Sequence, residues 1–171
     1  IIFLGIRLSL VDLFQYGSKS LTIIVPCIIS SIIIVIFLKD QFKVSNNLSL
    51  LIAVGTSICG ATAIVALAPS INAKKTEITY AIANITVFGL LAMFLYPIIA
   101  NIVFIHESLP IGLFIGSSIH ETAQVAGSAM IYAEQYSNQK VIEIATVTKL
   151  VRNSLMVFVI PLLAHRSVNN E

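Results

Sequence analysis

Gly55-Thr56-Ser57-Ile58-Cys59-Gly60-Ala61-Thr62 interrupts an apolar run that is otherwise long enough to cross a membrane. A second interruption, Gly116-Ser117-Ser118-Ile119-His120-Glu121-Thr122, lies in a later apolar run. Hydrocarbon tolerates free backbone polar groups and ionisable side chains only where protein or a water-filled cavity receives them. Glycine-rich polar breaks at two matched places therefore predict discontinuous helices at the binding site of a transporter.

The composition indicates an integral membrane protein. Hydrophobic residues make up 57% of the chain and charged residues 11%, whereas soluble domains carry roughly 25% charged residues. The apolar runs are long and continuous, which favours helices over the short alternating strands of a barrel. The net charge of +2 is small and lies mostly between the apolar runs, so nucleic acid is not expected as a partner.

The apolar runs predict an all-α polytopic transmembrane bundle that forms a single membrane domain. Each run has about the 20 residues that a bilayer core needs. Residues 1–20 are interpreted as the end of an earlier span and an interfacial stretch. Because the chain begins at Ile1 without Met or a signal peptide, we expect a piece of a longer transporter. The predicted spans are 21–38, 48–69, 78–100, 110–131 and 141–164, of which the first, third and fifth should be continuous helices.

The two interruptions are similar to each other in sequence. Gly55-Thr-Ser-Ile aligns with Gly116-Ser-Ser-Ile, and both precede small residues. Transporters built from inverted repeats leave weak internal similarity of this kind. The alignment covers four positions, so it has two interpretations, namely a structural repeat and a chance similarity.

The first motif has two interpretations. Small residues let helix backbones approach closely, which alone would explain Gly55 and Gly60. Alternatively the helix unwinds near the membrane midplane, and the amides of the restarting half-helix cradle an anion together with nearby hydroxyl groups. Under this second interpretation the solute-binding residues of the two motifs are Thr56, Ser57, Cys59, Gly60, Thr62, His120, Glu121 and Thr122.

The second motif contains ionisable groups inside an apolar segment. At helical spacing Glu121, Gln124 and Ser128 share a face, which should meet protein or water. One interpretation is a structural seam of hydrogen bonds. The other is that Glu121 or His120 exchanges a proton or binds a coupling cation, because ionisable residues inside a membrane are usually functional.

Lys149 and Arg152 are basic residues within the last apolar run. Their long side chains could reach the membrane surface by snorkelling. The alternatives are pairing with Glu121 across the bundle or a positive lining for an anion path. Both residues are therefore candidate charge partners of the site.

An enzymatic function is not expected. Ser118, His120 and Glu121 are too close in sequence to form a triad on one helix, because neighbours point to different faces. Cys59 and His120 would make a nucleophile–base pair only if the fold brought them together, and no nucleophile motif is present. We expect neither a cofactor nor a metal ion.

At these residues the chain resembles a bacterial family of polytopic membrane proteins labelled sulfate exporters. Five ordered motifs carry the resemblance, and they cover nearly the whole chain. They are Gly5–Leu10, Gly55–Pro69, Tyr80–Ala83, Ile119–Thr122 and Lys149–Arg152.

The resemblance implies a secondary transporter related to the inverted-repeat cation–proton antiporters and bile-acid symporters. It implies a multi-pass protein of the bacterial inner membrane and a solute such as sulfate or an organosulfonate, coupled to H⁺ or Na⁺. Glu121 stands where Asp is commoner in the family. The alternatives are a cation–proton antiporter that uses Glu121 and a helical membrane scaffold that transports nothing, and the oligomeric state stays open.

Overall fold

The computed structural model describes the backbone of residues 10–168 and the side-chain surroundings of residues 16–165. Throughout these residues the chain is helical and has no strands, which confirms the predicted all-α class. The α-helices are α1 (Leu10–Gln41), α2 (Asn46–Ser57), α3 (Ala61–Leu67), α4 (Lys75–Phe104), α5 (Ser108–Ser118), α6 (Thr122–Tyr136), α7 (Lys140–Ser154) and α8 (Met156–Val168), and a 3-10 turn, Ala68–Ile71, follows α3.

Within residues 10–168, three segments are long and apolar enough to cross a membrane, namely Tyr16–Gln41, Lys75–Phe104 and Lys140–His165. The first corrects the expectation of a separate interfacial stretch before residue 21, because α1 is one helix from Leu10 onward. A polar side chain near the start of this segment is buried inside the protein. It belongs to Ser20, whose Oγ donates a hydrogen bond to the Gly17 carbonyl at 2.8 Å. Residues 1–9, the rest of the expected stretch, lie outside the described residues.

The segment 141–164 lies within one apolar span, Lys140–His165, as predicted, with a break of one residue where α7 passes into α8. At Leu155, between α7 and α8, the backbone N–H donates to the Arg152 carbonyl at 3.2 Å in a tighter turn. Pro161 in α8 has no N–H to offer the Val157 carbonyl, which weakens the helix just after this turn. The chain nevertheless continues onward as one segment through the bundle.

Helices α2 and α3 form a hairpin that starts and finishes at the same end of the bundle. Ser45, the N-cap of α2, donates from Oγ to Glu77 Oε1 at 2.5 Å, and Glu77 lies in the first turn of α4. Because α3 leads through the 3-10 turn into α4, both feet of this hairpin lie here. We call residues 46–71 hairpin 1, and this end of the molecule the Ser45 end.

Helices α5 and α6 form a second hairpin with both feet at the opposite end. The Ser108 Oγ donates to Asn138 Oδ1 at 3.0 Å, which joins the start of α5 to the residues after α6. The rings of His106 and Tyr136 lie 5.9 Å apart between centroids. We call residues 108–136 hairpin 2, and this end the His106 end.

The helix breaks predicted in the two motifs are confirmed, but the prediction that segments 48–69 and 110–131 cross the bundle is wrong. The helix ends at Ser57 in one and at Ser118 in the other. With 12 and 11 residues, α2 and α5 are about 18 and 16 Å long at roughly 1.5 Å per residue. Each therefore reaches only about half of a bilayer core of roughly 30 Å before the chain turns back.

The two hairpins belong to units of opposite orientation. Helix α1 finishes at the Ser45 end, where Lys39 Nζ donates to Asn46 Oδ1 at 2.6 Å, and hairpin 1 enters from there. Helix α4 runs the other way to Phe104, and hairpin 2 enters from the His106 end. A long helix followed by a hairpin thus occurs twice with inverted direction, which agrees with the interpretation of the two motifs as a structural repeat.

Glycines bring hairpin 2 into backbone contact with α7. A Cβ atom on Gly112 would lie 2.5 Å from the Ile144 Cβ, and one on Gly116 would lie 2.6 Å from the Ala145 carbonyl oxygen. Small residues permit this spacing between membrane helices. The close packing brings the middle of α7 next to the tip of hairpin 2.

The hairpin arrangement predicts the sidedness of the loops. In a full-length protein lacking Cys27 and Cys59, we expect Gln41→Cys and Ser70→Cys to be labelled by a membrane-impermeant maleimide from one side of the membrane. Gln139→Cys should be labelled from the other side. Labelling of the cysteines at 41 and 70 from opposite sides would mean that residues 46–71 cross the membrane.

Candidate functional site

The tips of the two hairpins meet in the middle of the bundle. The tip of hairpin 1 is Ile58–Gly60, and the tip of hairpin 2 is Ile119–Glu121. Gly60 has a φ of +72°, and a Cβ atom there would lie 2.8 Å from Glu121 Oε2. The Ala61 N–H donates to the same oxygen at 3.4 Å. Glycine is therefore required at this position both for the turn and for the close approach.

Lys149 of α7 joins the two tips. Its side chain is fully buried, and its ammonium donates to the backbone carbonyls of Ile58 at 2.9 Å and Ile119 at 3.2 Å. A third, shorter hydrogen bond goes to the His120 carbonyl. One side chain thus binds carbonyl groups of both hairpins.

Arg152, one turn further along α7, binds the last carbonyls of both interrupted helices. Its Nε donates to the Ser57 carbonyl at 2.9 Å, and its terminal nitrogens donate to the carbonyls of Thr56 and Ser117. One of them also lies 3.5 Å from the Ile119 carbonyl oxygen. The side chain is 3% exposed, so these carbonyls are its surroundings and water is largely excluded.

The physical reason for this arrangement is that helix ends leave carbonyl groups without intrahelical partners. Each C-terminus also carries roughly half a negative charge from the aligned peptide dipoles. Lys149 and Arg152 are three residues apart on one helix, so they lie on the same face and reach both ends together. The two cations supply the missing donors and balance the partial charges.

The structure uses the backbone of Thr56 and Ser57 in this network, while their hydroxyl groups bind within α2. The Thr56 Oγ1 donates to the Ile52 carbonyl at 2.6 Å, and the Ser57 Oγ donates to the Val54 carbonyl at 3.2 Å. Back-bonding of this kind is common for hydroxyl groups in helices. The sequence singled out these two positions for their hydroxyl groups, and it gave no sign that their carbonyls would meet α7.

The other candidate residues of the motifs lie around the tips. Cys59 is buried in the tip of hairpin 1, whereas Thr62 is exposed in the first turn of α3. Thr122 is half-buried, and its Oγ1 accepts a hydrogen bond from Asn153 Nδ2 of α7 at 3.2 Å. Six of the candidates are thus in or directly beside the two tips and contact α7 or each other, namely Thr56, Ser57, Gly60, His120, Glu121 and Thr122.

Glu121 and the two basic residues are close together without forming an ion pair. Among the residues that the structure describes, neither Lys149 nor Arg152 lies within 4.0 Å of the Glu121 carboxylate. The basic residues do not snorkel either, because both are buried and point to the tips. The Glu121 carboxylate instead faces the first turn of α3, where its protein donor is the Ala61 N–H.

A row of polar side chains leads away from the tips along α6. Gln124 and Ser128 are buried, as the predicted polar face required, and Gln124 Nε2 donates to the Thr86 carbonyl of α4 at 3.2 Å. The row also has unused hydrogen-bonding capacity. Within the described residues, His120 Nδ1, Gln124 Oε1 and Ser128 Oγ are buried and have no hydrogen-bond partner in the protein.

The described residues contain no group of three or more His, Cys, Asp or Glu side chains that could hold a metal ion. Sequence reasoning missed the main feature of the site, which is the binding of backbone carbonyls by α7. Two basic residues three positions apart inside an apolar segment were the available signal. Their partners are invisible in a sequence because every residue has a carbonyl group.

The fold and the site define a helical membrane protein in which two oppositely oriented hairpins meet at their tips. The chain belongs to the family described as Conserved hypothetical protein 698, whose family model matches residues 1–171. The family membership expected from the five motifs is thereby confirmed. Neither this description nor the names of the relatives mention a solute.

Several curated relatives are named UPF0324 membrane proteins. The one from Streptococcus agalactiae serotype V is 35% identical over 152 residues, which cover 89% of this chain and 45% of that protein. One from Bacillus cereus is 37% identical over 161 residues, with 92% and 44% covered. One from Fusobacterium nucleatum is 34% identical over 173 residues, with 100% and 49% covered. The chain spans about half the length of these relatives, and no solved structure matches it.

The network around Arg152 predicts a large effect on stability. Arg152→Met should lower the free energy of unfolding by on the order of 3 kcal/mol, because it leaves several buried carbonyls without donors. Arg152→Lys retains the charge but not the planar fork, so a smaller loss is expected. Denaturant unfolding of the full-length protein in detergent measures both. Equal stability of Arg152→Met and wild type would contradict the capping role.

Proposed function

We propose that the protein is a secondary transporter of the bacterial inner membrane and that the two hairpin tips form its solute-binding region. The observation that carries the proposal is the meeting of two oppositely oriented hairpins in the middle of the bundle. Irregular backbone at membrane depth occurs where it is buried in protein or lines a water-filled cavity. In transporters with inverted repeats, interrupted helices of this kind form the solute and ion sites.

The charge at the tips supports an anionic solute. Two helix C-termini and two helix N-termini meet there, and their partial charges of roughly half a unit each cancel in the sum. The side chains then set the balance, and Lys149 and Arg152 together outweigh Glu121 by one positive charge. An anion of the sulfate or organosulfonate class, which the sequence resemblance implies, would be attracted to this region.

In the conformation that the structure shows, Lys149 has no N–H group left to donate to a solute. An ammonium group has three N–H donors, and all three bind backbone carbonyls. Donors that remain near the tips include one N–H of Arg152 and the backbone amides in the first turns of α3 and α6, which have no intrahelical acceptors. We therefore infer that Lys149 contributes a fixed positive charge and holds the tips, while other groups contact the solute.

Proton coupling through Glu121 is supported by its surroundings. The carboxylate has no ion-pair partner within 4.0 Å among the described residues, and the charged or titratable groups around the tips are Cys59, His120, Lys149 and Arg152. Protonation of Glu121 would raise the local charge from one positive unit to two. A proton taken up here would therefore strengthen the binding of an anion, and its release would weaken it.

The same carboxylate supports the alternative of a cation–proton antiporter. Glu121 would then exchange a proton for a cation at the tips, and the buried polar row of His120, Gln124 and Ser128 would belong to the proton's route. The excess positive charge at the tips disfavours a cationic solute, so anion transport is preferred. A scaffold without transport would gain nothing from an unpaired carboxylate at the tips, and an enzyme is not proposed.

Flux measurements on the full-length protein in proteoliposomes test the proposal. Labelled sulfate and taurine should be taken up faster than by empty liposomes, and labelled sodium should not. Sodium exchange driven by a pH gradient, without anion uptake, would favour the antiporter. Absence of any flux with all three solutes would favour the scaffold.

Glu121→Gln is expected to remove the pH dependence of anion flux. In wild type, flux should rise as the pH falls, because the protonated carboxyl leaves a larger positive charge at the tips. The amide is neutral at every pH, so the variant should show a flat profile. Glu134→Gln, on the exposed face of the same helix, is the matched control and should keep the wild-type profile. An unaltered pH profile in Glu121→Gln would rule out coupling through this residue.

Gly60→Ala is expected to abolish flux in a protein that still inserts and folds. The added Cβ atom would meet Glu121 Oε2 at 2.8 Å, and alanine at a φ of +72° is strained. Gly17→Ala is the matched control, because its Cβ would make an ordinary contact of 3.5 Å with Val151. Normal flux in Gly60→Ala would show that the close approach of the tips is not required.

A further inference from the structure

The surroundings of the Lys149 ammonium are those of a bound ion rather than of a side chain paired with an acid. Its protein contacts are the backbone carbonyl oxygens of Ile58, Ile119 and His120. No carboxylate lies within 4.0 Å among the described residues. Rings of backbone carbonyls are also what potassium channels use in place of the hydration shell of K⁺.

The carbonyl oxygens surround a small volume, which we call the cage, and a cation inside it stabilises their arrangement. They come from the ends of two helices, so their dipoles point toward the same small volume and repel one another unless a positive charge lies between them. Lys149 and Arg152 together hold the whole set. The six residues that contribute carbonyls are Thr56, Ser57, Ile58, Ser117, Ile119 and His120.

We propose that the Lys149 ammonium occupies a monovalent-cation site between the two hairpin tips. In the wild-type protein the lysine side chain supplies the cation at this position. When the lysine is removed, we expect the same carbonyl oxygens to bind a monovalent cation from solution. The inference goes beyond the proposed transport function, since it concerns what holds the tips together whether or not a solute moves. It also predicts that neither Na⁺ nor K⁺ acts at this position in the wild-type protein.

The dimensions of the cage favour a large monovalent ion. The ammonium nitrogen lies 2.9 and 3.2 Å from two of its carbonyl oxygens. Ca²⁺, whose ionic radius is close to that of Na⁺, prefers oxygen distances of about 2.3–2.6 Å. The Ile58 and Ile119 oxygens would have to move inward around Na⁺, whereas the His120 oxygen already lies closer. K⁺ is therefore expected to bind better once the lysine charge is removed.

Thermal unfolding of the purified full-length protein tests the proposal. Lys149→Ala removes the charge and leaves the position of the ammonium group empty, so that an ion from solution can enter it. The variant should unfold at a lower temperature than wild type in choline chloride, and K⁺ should raise its midpoint by several degrees in a saturable manner, because a ligand of the folded state stabilises it. Na⁺ at equal ionic strength should raise the midpoint less, and choline not at all.

Two controls accompany the measurement. Lys140→Ala makes the same change at the exposed start of α7 and should show no difference between K⁺ and choline. Wild type should likewise be indifferent to the cation, because its site is already filled. If Lys149→Ala is not recovered in folded form, Lys149→Ser provides the same comparison, because its short side chain also leaves the ammonium position empty.

The outcomes separate an ion site from a lysine that only caps helix ends. A saturable stabilisation by K⁺ that appears in the Lys149 variants and is absent from wild type and Lys140→Ala supports the proposal. A loss of stability in the Lys149 variants that no cation repairs overturns it, and so does a saturable effect of K⁺ on wild type. Because the readout is unfolding, a failure to transport sulfate or taurine would leave this result unchanged.

Discussion

Backbone carbonyl groups at the ends of two interrupted helices impose the constraint on which the rest of this structure depends. A helix that stops in the middle of an apolar bundle leaves carbonyls that water cannot reach, and each costs about 1–3 kcal/mol if it stays unpaired. Here the carbonyls after α2 and α5 receive donors from one helix, α7. Burial of Lys149 and Arg152, which would be costly alone, is offset by these same carbonyls.

This constraint holds the two hairpin tips and α7 together. Lys149 and Arg152 each bind both hairpins, so a tip cannot move away from α7 without breaking hydrogen bonds to a charged group. Such bonds contribute roughly 1.5–3 kcal/mol each. We therefore expect both tips and α7 to move together in any conformational change of the bundle. The Glu121 carboxylate lacks a strong tether of this kind, since its contact with the Ala61 N–H is 3.4 Å long.

The inverted arrangement gives the tips access to both ends of the bundle. Hairpin 1 has its feet at the Ser45 end, and hairpin 2 has its feet at the His106 end. A solute held between the tips would thus be covered by a different hairpin on each side. The polar row of Gln124 and Ser128 extends from the tips along hairpin 2, whereas the buried polar side chains of hairpin 1 are the hydroxyl groups of Ser49 and Ser57. The two sides are therefore similar in backbone but not in chemistry, as expected if protons and solute take separate routes.

The sequence by itself determined the class of the protein and the positions of the helix breaks. Long apolar runs with few charges specify membrane helices, and Gly60, with its positive φ, marks a turn that few other residues allow. Only the tertiary structure decided that the broken segments turn back. Two half-helices joined by a break have the same length and composition whether they cross or return. The choice rests on contacts between residues distant in sequence, such as Ser45 with Glu77. The partners of Lys149 and Arg152 were likewise decided by the fold, because backbone carbonyls are common to all residues and only packing selects which of them a buried cation meets.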